Sequence, residues 1–218
     1  MKSIFAPVWA SSLLLGALTF TAPAQEAGEG EALKKLEEAQ DHFYEAKDVI
    51  KIRYRKELAE AIAKGDKVEV YLLDFDAIEQ TPSDHLYWET RLEEGEFPIM
   101  PYGSKTKVLK KVELTPEQRK EFLPALQKTV SSEEDHGGAM CHHPIHGVRV
   151  FSGGKIIFQS SFCWHCNNYY LHYPDGPQWL GIGNRKDLAT AFEKMMPVPQ
   201  KEIDRFNEKH GPKMKEKE

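Results

Sequence analysis

Between Glu31 and Gly65 apolar side chains recur at intervals of three and four: Leu36, Ala39, Phe43, Ala46, Ile50, Tyr54 and Leu58. That spacing draws one apolar stripe along a helix, with Lys, Glu and Arg filling the other face and Gly65 as its stop. The stripe is rich in small and aromatic residues and lacks clean heptads, so packing across a sheet or partial projection is expected in place of a coiled coil. Lys67 to Phe75 then alternates, with Val68, Val70 and Leu72 on one face. Tyr71 and Leu73 make the opposite face apolar too, which predicts a strand covered on both sides.

Asp76 to Pro101 is a long connection containing Pro82 and an acidic stretch, with a short helix expected around His85 to Leu92. Thr106 to Leu114 reads as a strand interrupted by lysines. Thr115-Pro116-Glu117-Gln118 is a helix start: Thr115 caps, Pro116 takes the first helical position and Gln118 completes a capping box. This helix should run to Val130, with a kink at Pro124, and Ser131 to Ala139 is a polar loop. Val148 to Phe151 and Lys155 to Ser160 read as strands joined by Ser152-Gly153-Gly154, a hairpin signal. Tyr169, Leu171 and Tyr173 alternate as a further strand. Asn184 precedes a helix with the face Leu188, Phe192 and Met195, and Gln200 to Glu208 forms one or two last turns.

This order of elements predicts an α+β fold: a mainly antiparallel sheet with packed helices and a long N-terminal helix. The organisation expected is a signal peptide over 1–24, a leader and long helix over 25–66, and a single α+β domain over 67–198. A short helix and charged tail follow over 199–218. The signal rests on Lys2, the apolar run Val8 to Phe20 and the small-x-small pattern Ala22-Pro23-Ala24. The run is shorter than the roughly 20 residues of a membrane-spanning helix. No later stretch is apolar enough to span, so an exported protein, periplasmic or extracellular, with no integral membrane segment is expected. Loss of Lys2 with the signal moves the formal net charge from -5 to -6. That mild acidity, spread along the chain, argues against nucleic acid as a partner, which requires clustered positive charge.

The chemistry-bearing region is Met140 to Tyr170. Cys141, His142, His143 and His146 precede the hairpin, and Cys163, His165 and Cys166 follow it. A turn at Gly153-Gly154 places Cys163 opposite roughly residue 144, so both groups converge at the hairpin's open end. An export route permits a disulfide, and the chain's three cysteines leave one thiol over. Several readings stand open. Cys141, Cys163 and Cys166 with His146, or with His142 or His165 as alternates, would supply a zinc or copper site. Cys141 bridged to Cys163 or Cys166 would tie the segment before the hairpin to the sheet. Cys163 and Cys166 have the spacing of a thiol redox pair, with Cys163 as nucleophile and Cys166 as resolving thiol. Against that, Asn167 to Tyr173 resembles a strand, not the helix such pairs begin. Cys141 with His146 as base would be a hydrolytic pair, without any recognisable acyl pocket.

Cys141-x-x-Pro144-x-His146-Gly147-Val148-Arg149, followed by a strand and Phe162-Cys163-x-x-Cys166, resembles a group of small, often exported bacterial proteins of unknown function. Those proteins carry a Cys-x-x-Pro-x-His-x-x-Arg stretch, a hairpin and a Cys-x-x-Cys. The resemblance covers about Val68 to Pro197 and marks Cys141, Pro144, His146, Arg149, Cys163 and Cys166 without implying roles for them. The added imidazoles of His142, His143 and His165 lean toward metal.

Arg149 is expected to satisfy a carboxylate or backbone carbonyls beside the sheet, or to contact an anion. Tyr169, Tyr170, Tyr173 and Trp179 form an aromatic patch that, like the N-terminal helix, offers a surface to a protein partner. Asp74 and Asp76 terminate a strand. No Gly-rich phosphate loop, His-Glu-x-x-His helix or nucleophile elbow is present, so cofactor binding of those kinds is not expected.

Overall fold

The computed structural model describes residues 26–78, 92–99, 104–133 and 141–211, and the strand expected from Lys67 onward is an interior strand of its sheet. The chain divides into two compact units, Met1–Ala46 and Lys47–Glu218. The described part of the first is helical. Helix α1 (Glu26–Ala63) begins there and ends in the second unit. Its last turns are apolar on one side, and Ala59 and Ile62 are buried in the main core. The helix expected around His85 to Leu92 lies almost wholly outside the described residues, as does the signal segment.

The second unit is built on β1 (Lys67–Leu73), β2 (Glu96–Pro98), β3 (Lys105–Glu113), β4 (His146–Ser152), β5 (Lys155–Cys163), β6 (Asn168–Tyr173) and β7 (Gly176–Gly181). These form one sheet in the order β2-β3-β1-β4-β5-β6-β7, and its ladders are antiparallel. Helices α2 (Pro116–Val130), α3 (Arg185–Met195) and α4 (Gln200–His210) complete the fold. The architecture is therefore α+β, with a long N-terminal helix and an antiparallel sheet packed against helices.

β1 alternates as its pattern predicts. Val68, Val70 and Leu72 face the main core with Phe122, Leu126, Leu188 and Phe192 of α2 and α3. Tyr71 and Leu73 face a smaller cluster with Phe97 and Ile99. Burial of these side chains contributes about 25 cal/mol per Å² of apolar surface removed from water, which is the main force holding both faces. Thr115 caps α2 in a full capping box: its hydroxyl accepts from the Gln118 amide at 3.3 Å, and the Gln118 side chain accepts from the Thr115 amide at 2.9 Å. Asn184 stands at the cap position of α3, but its side chain makes no cap hydrogen bond.

The β4–β5 hairpin turns through Gly153 and Gly154, with φ of 56° and 77°. Positive φ at both central residues is the two-residue turn whose twist matches paired strands. A bulge between Val150 and Phe151 then shifts the register. Phe162 consequently pairs with His146, one residue from the simple register expected from the turn.

Candidate functional site

β5 ends at Cys163 and β6 begins at Asn168, so Trp164-His165-Cys166-Asn167 is the turn between two paired strands. Asn167 closes it with φ of 55°, a conformation Asn tolerates better than most residues. The Cys-x-x-Cys motif therefore spans a strand-to-strand turn. Cys166 is bridged to Cys141, with Cα atoms 6.4 Å apart and 25 residues between them in sequence. Cys163 is the free thiol and is buried. Its Sγ accepts the backbone N–H groups of Cys166 at 3.3 Å and His143 at 3.4 Å. Burial pushes this thiol above its usual pKa, against the opposing pull of those amides.

The bridge fastens the segment before β4 to the turn after β5, and buried histidines reinforce it. Asn168 donates its amide N–H to the Cys141 carbonyl at 3.1 Å, which leaves its Oδ1 facing His142 Nδ1 at 2.8 Å. Nδ1 thus carries the proton of a neutral ring. Nε2 lies 2.8 Å from the Ser161 hydroxyl, which also reaches the Ile99 carbonyl at 3.2 Å. With one proton to give and the ring neutral, Ser161 donates over the shorter contact to His142. Burial holds His142 down at a pKa of about 4. Ser161, His142 and Asn168 stand in the order of nucleophile, base and orienting amide. All three are buried, Ser161 completely. A substrate has no approach to that hydroxyl, and the chain of bonds serves to pin β5 and β6 to the 141–145 segment.

His146, at the start of β4, is equally committed. The Trp164 indole N–H donates to Nδ1 at 2.8 Å, so the ring proton sits on Nε2 and is donated to the Met196 carbonyl at 2.8 Å. Its ring stacks on Phe192 with centroids 4.8 Å apart. Complete burial holds its pKa at about 4 as well. A lone pair bonded to Trp164 and a proton bonded to Met196 leave His146 neither a metal ligand nor a base as it stands. Gly147 beside it has no room for a side chain: a Cβ there would lie 2.8 Å from Phe97 Cζ and 3.1 Å from Leu73 Cδ1.

Arg149 points to the opposite face of β4. Its Nε donates to Gln159 Oε1 at 2.6 Å and a terminal nitrogen donates to the Tyr71 hydroxyl at 3.3 Å. The guanidinium lies over the Tyr71 and Phe97 rings at 5.2 and 4.9 Å. Tyr71 in turn donates to the buried Glu69, which pairs with Lys67 at 2.9 Å. Arg149 is thus part of a stacked polar network with Tyr71, Phe97 and Gln159 on that face of the sheet.

Two groups have no signature in sequence spacing. His210, at the end of α4, stacks on His143 with centroids 4.0 Å apart, and Phe206 lies 5.6 Å from the His165 ring. Asp74 and Asp76 do more than end a strand: Asp74 pairs with Arg205 at 2.9 Å and Asp76 with Lys209 at 2.6 Å, holding α4 over the cysteine turn. Only the amphipathic repeat Ile203 and Phe206 signals that this helix packs here. Tyr169, Tyr170 and Tyr173 of the aromatic patch are buried within the sheet, and Trp179 packs beside Tyr170 and His142.

The structure therefore gathers Cys141, His142, His146, Cys163, His165 and Cys166 at one end of the hairpin and leaves Arg149 outside. Among the described residues, no group of three or more His, Cys, Asp or Glu is arranged to hold a metal ion. None of their helices is long and apolar enough to cross a membrane. No family model matches this sequence, and no curated protein and no solved structure matches it, so the reading of the cluster rests on its geometry.

Proposed function

We propose that the chain is an exported binding domain in which the cysteine and histidine cluster is a clamp. The bridge and the buried imidazoles hold the segment from Cys141 to Ile145 against the β5–β6 turn. The observation that carries this reading is the double commitment of His146, whose Nδ1 accepts from Trp164 and whose Nε2 donates to Met196. A ring satisfied at both nitrogens and buried in its neutral form suits a packing element. Cys141 and Cys166, the other outer members of the expected zinc or copper set, are spent on each other.

Export supports the bridge, since an oxidising compartment preserves it. A protein partner is supported by the first unit, where Leu33, Leu36, Phe43 and Tyr44 of α1 are all more than half exposed. The experiment is a thiol titration of the denatured protein together with a metal analysis of the native one. One thiol per chain and no stoichiometric metal is the expected result. Three thiols with one equivalent of zinc or copper would overturn the clamp.

Thiol–disulfide exchange is a second reading. It is favoured by one observation: the free Cys163 shares a turn with Cys166, whose bridge ends at the exposed Cys141.

A further inference from the structure

We infer that Cys163 is an internal attacking thiol that can displace Cys141 from Cys166, turning Cys141 into an exposed thiol that captures disulfide-bearing molecules. This rests on the clamp reading, because it requires the Cys141–Cys166 bridge as the resting state.

Three features of the cluster converge on that exchange. Two residues of the β5–β6 turn separate Cys163 from Cys166, and the Cys166 amide already donates to Cys163 Sγ at 3.3 Å, so the sulfur is held against the backbone of its target. A second amide, from His143, donates to the same sulfur at 3.4 Å. Two donors aimed at one sulfur offset part of the cost that burial imposes on the thiolate that must form before attack. The leaving side is arranged for departure: Cys141 is exposed, Cys166 half-buried and Cys163 buried. A thiolate released into water is a better leaving group than one released into the protein interior. Cys141 is also the natural sulfur to leave, since its segment is held to β6 by side-chain bonds that survive the exchange, including Asn168 to the Cys141 carbonyl.

The chemistry balances without an outside oxidant. Cys163 gives its proton to solvent and its Sγ attacks Cys166 Sγ. The Cys163–Cys166 bond forms as the Cys141–Cys166 bond breaks, and Cys141 leaves with the electron pair as a thiolate. The protein holds one disulfide before and after. In the second step the Cys141 thiolate attacks a disulfide R–S–S–R, forming Cys141–S–S–R and releasing R–S⁻. The substrate class is an accessible disulfide, on a small molecule or on an extended peptide.

The test treats the native full chain with the aromatic disulfide 5,5′-dithiobis(2-nitrobenzoate), quenches with acid and maps the sulfur bonds by mass spectrometry. The expected product carries the aromatic thiol on Cys141 and a new Cys163–Cys166 bridge, with one equivalent of thiolate released. The Cys163→Ser variant should release less than a tenth as much over the same time while keeping the wild-type circular dichroism spectrum. An adduct on Cys163 with Cys141–Cys166 intact, or no release before denaturation, would overturn the inference and leave the clamp standing. Three thiols in the denatured, untreated protein would overturn both.

Discussion

The indole N–H of Trp164 donates to Nδ1 of His146 across 2.8 Å, joining the cysteine turn to the first residue of β4. One contact thereby sets the tautomer of the histidine, and the tautomer sets its second bond, to the Met196 carbonyl. The middle of a Cys-x-x-Cys motif here works as a hydrogen-bond donor to a buried ring.

Trp164→Phe keeps most of the aromatic packing but removes that donor. It leaves a buried acceptor unsatisfied, which costs about 1–3 kcal/mol. Urea unfolding should show a lower midpoint with an unchanged slope, and Trp164→Phe should lose more stability than Trp179→Phe, which sits in a half-exposed position on the edge strand.

Acid should destabilise the fold in a defined window. His142 and His146 are held at a pKa of about 4 by burial, against an ordinary value of 6.5. Between those values the unfolded chain binds more protons than the folded one, so stability is fully present above 6.5 and falls as pH drops toward 4. Each ring contributes at most about 3 kcal/mol to that loss. Urea midpoints measured across the window should decline toward acid, and His146→Gln, whose amide can accept and donate but does not titrate, should flatten the decline.

Removing the bridge should act through the unfolded state. Closing a loop of this size stabilises by about 3.5 kcal/mol in the chain-entropy account. Cys141→Ser with Cys166→Ser should lower the unfolding free energy by roughly that amount while retaining the sheet, and a loss under about 1 kcal/mol would show that the clamp contributes little.

Gly147→Ala should be destabilising although alanine suits a strand better. Its methyl would press on the Phe97 ring and on Leu73, and overpacking of that kind costs about 1–3 kcal/mol. Phe97→Leu should recover part of the loss in the double variant. Additive losses would mean that the close approach is not the cause.

The elements legible in the sequence were those with a strong local pattern. Val68, Val70 and Leu72 against Tyr71 and Leu73 announced a strand buried on both faces. Gly153-Gly154 announced the hairpin, and Thr115-Pro116-Glu117-Gln118 the start of α2. β2 and β7 carry Pro98 and Pro177 and little alternation; they are the two edge strands, where a missing N–H is tolerated and no pattern is imposed. α4 is longer than the one or two turns expected, because its ion pairs to Asp74 and Asp76 and its stacked His210 are tertiary contacts that spacing does not encode. The hairpin correctly brought Cys141 near the Cys-x-x-Cys motif. It left two partners open, because the choice depends on which sulfur the β5–β6 turn turns inward: Cys163, the last strand residue, is buried, and Cys166 is left for Cys141.

The most direct measurement is a non-reducing peptide map of the untreated protein, denatured in acid with all free thiols alkylated. The clamp predicts a linked pair of peptides containing Cys141 and Cys166, and an alkylated Cys163. Alkylation at all three cysteines, or a bridge that includes Cys163, would contradict it.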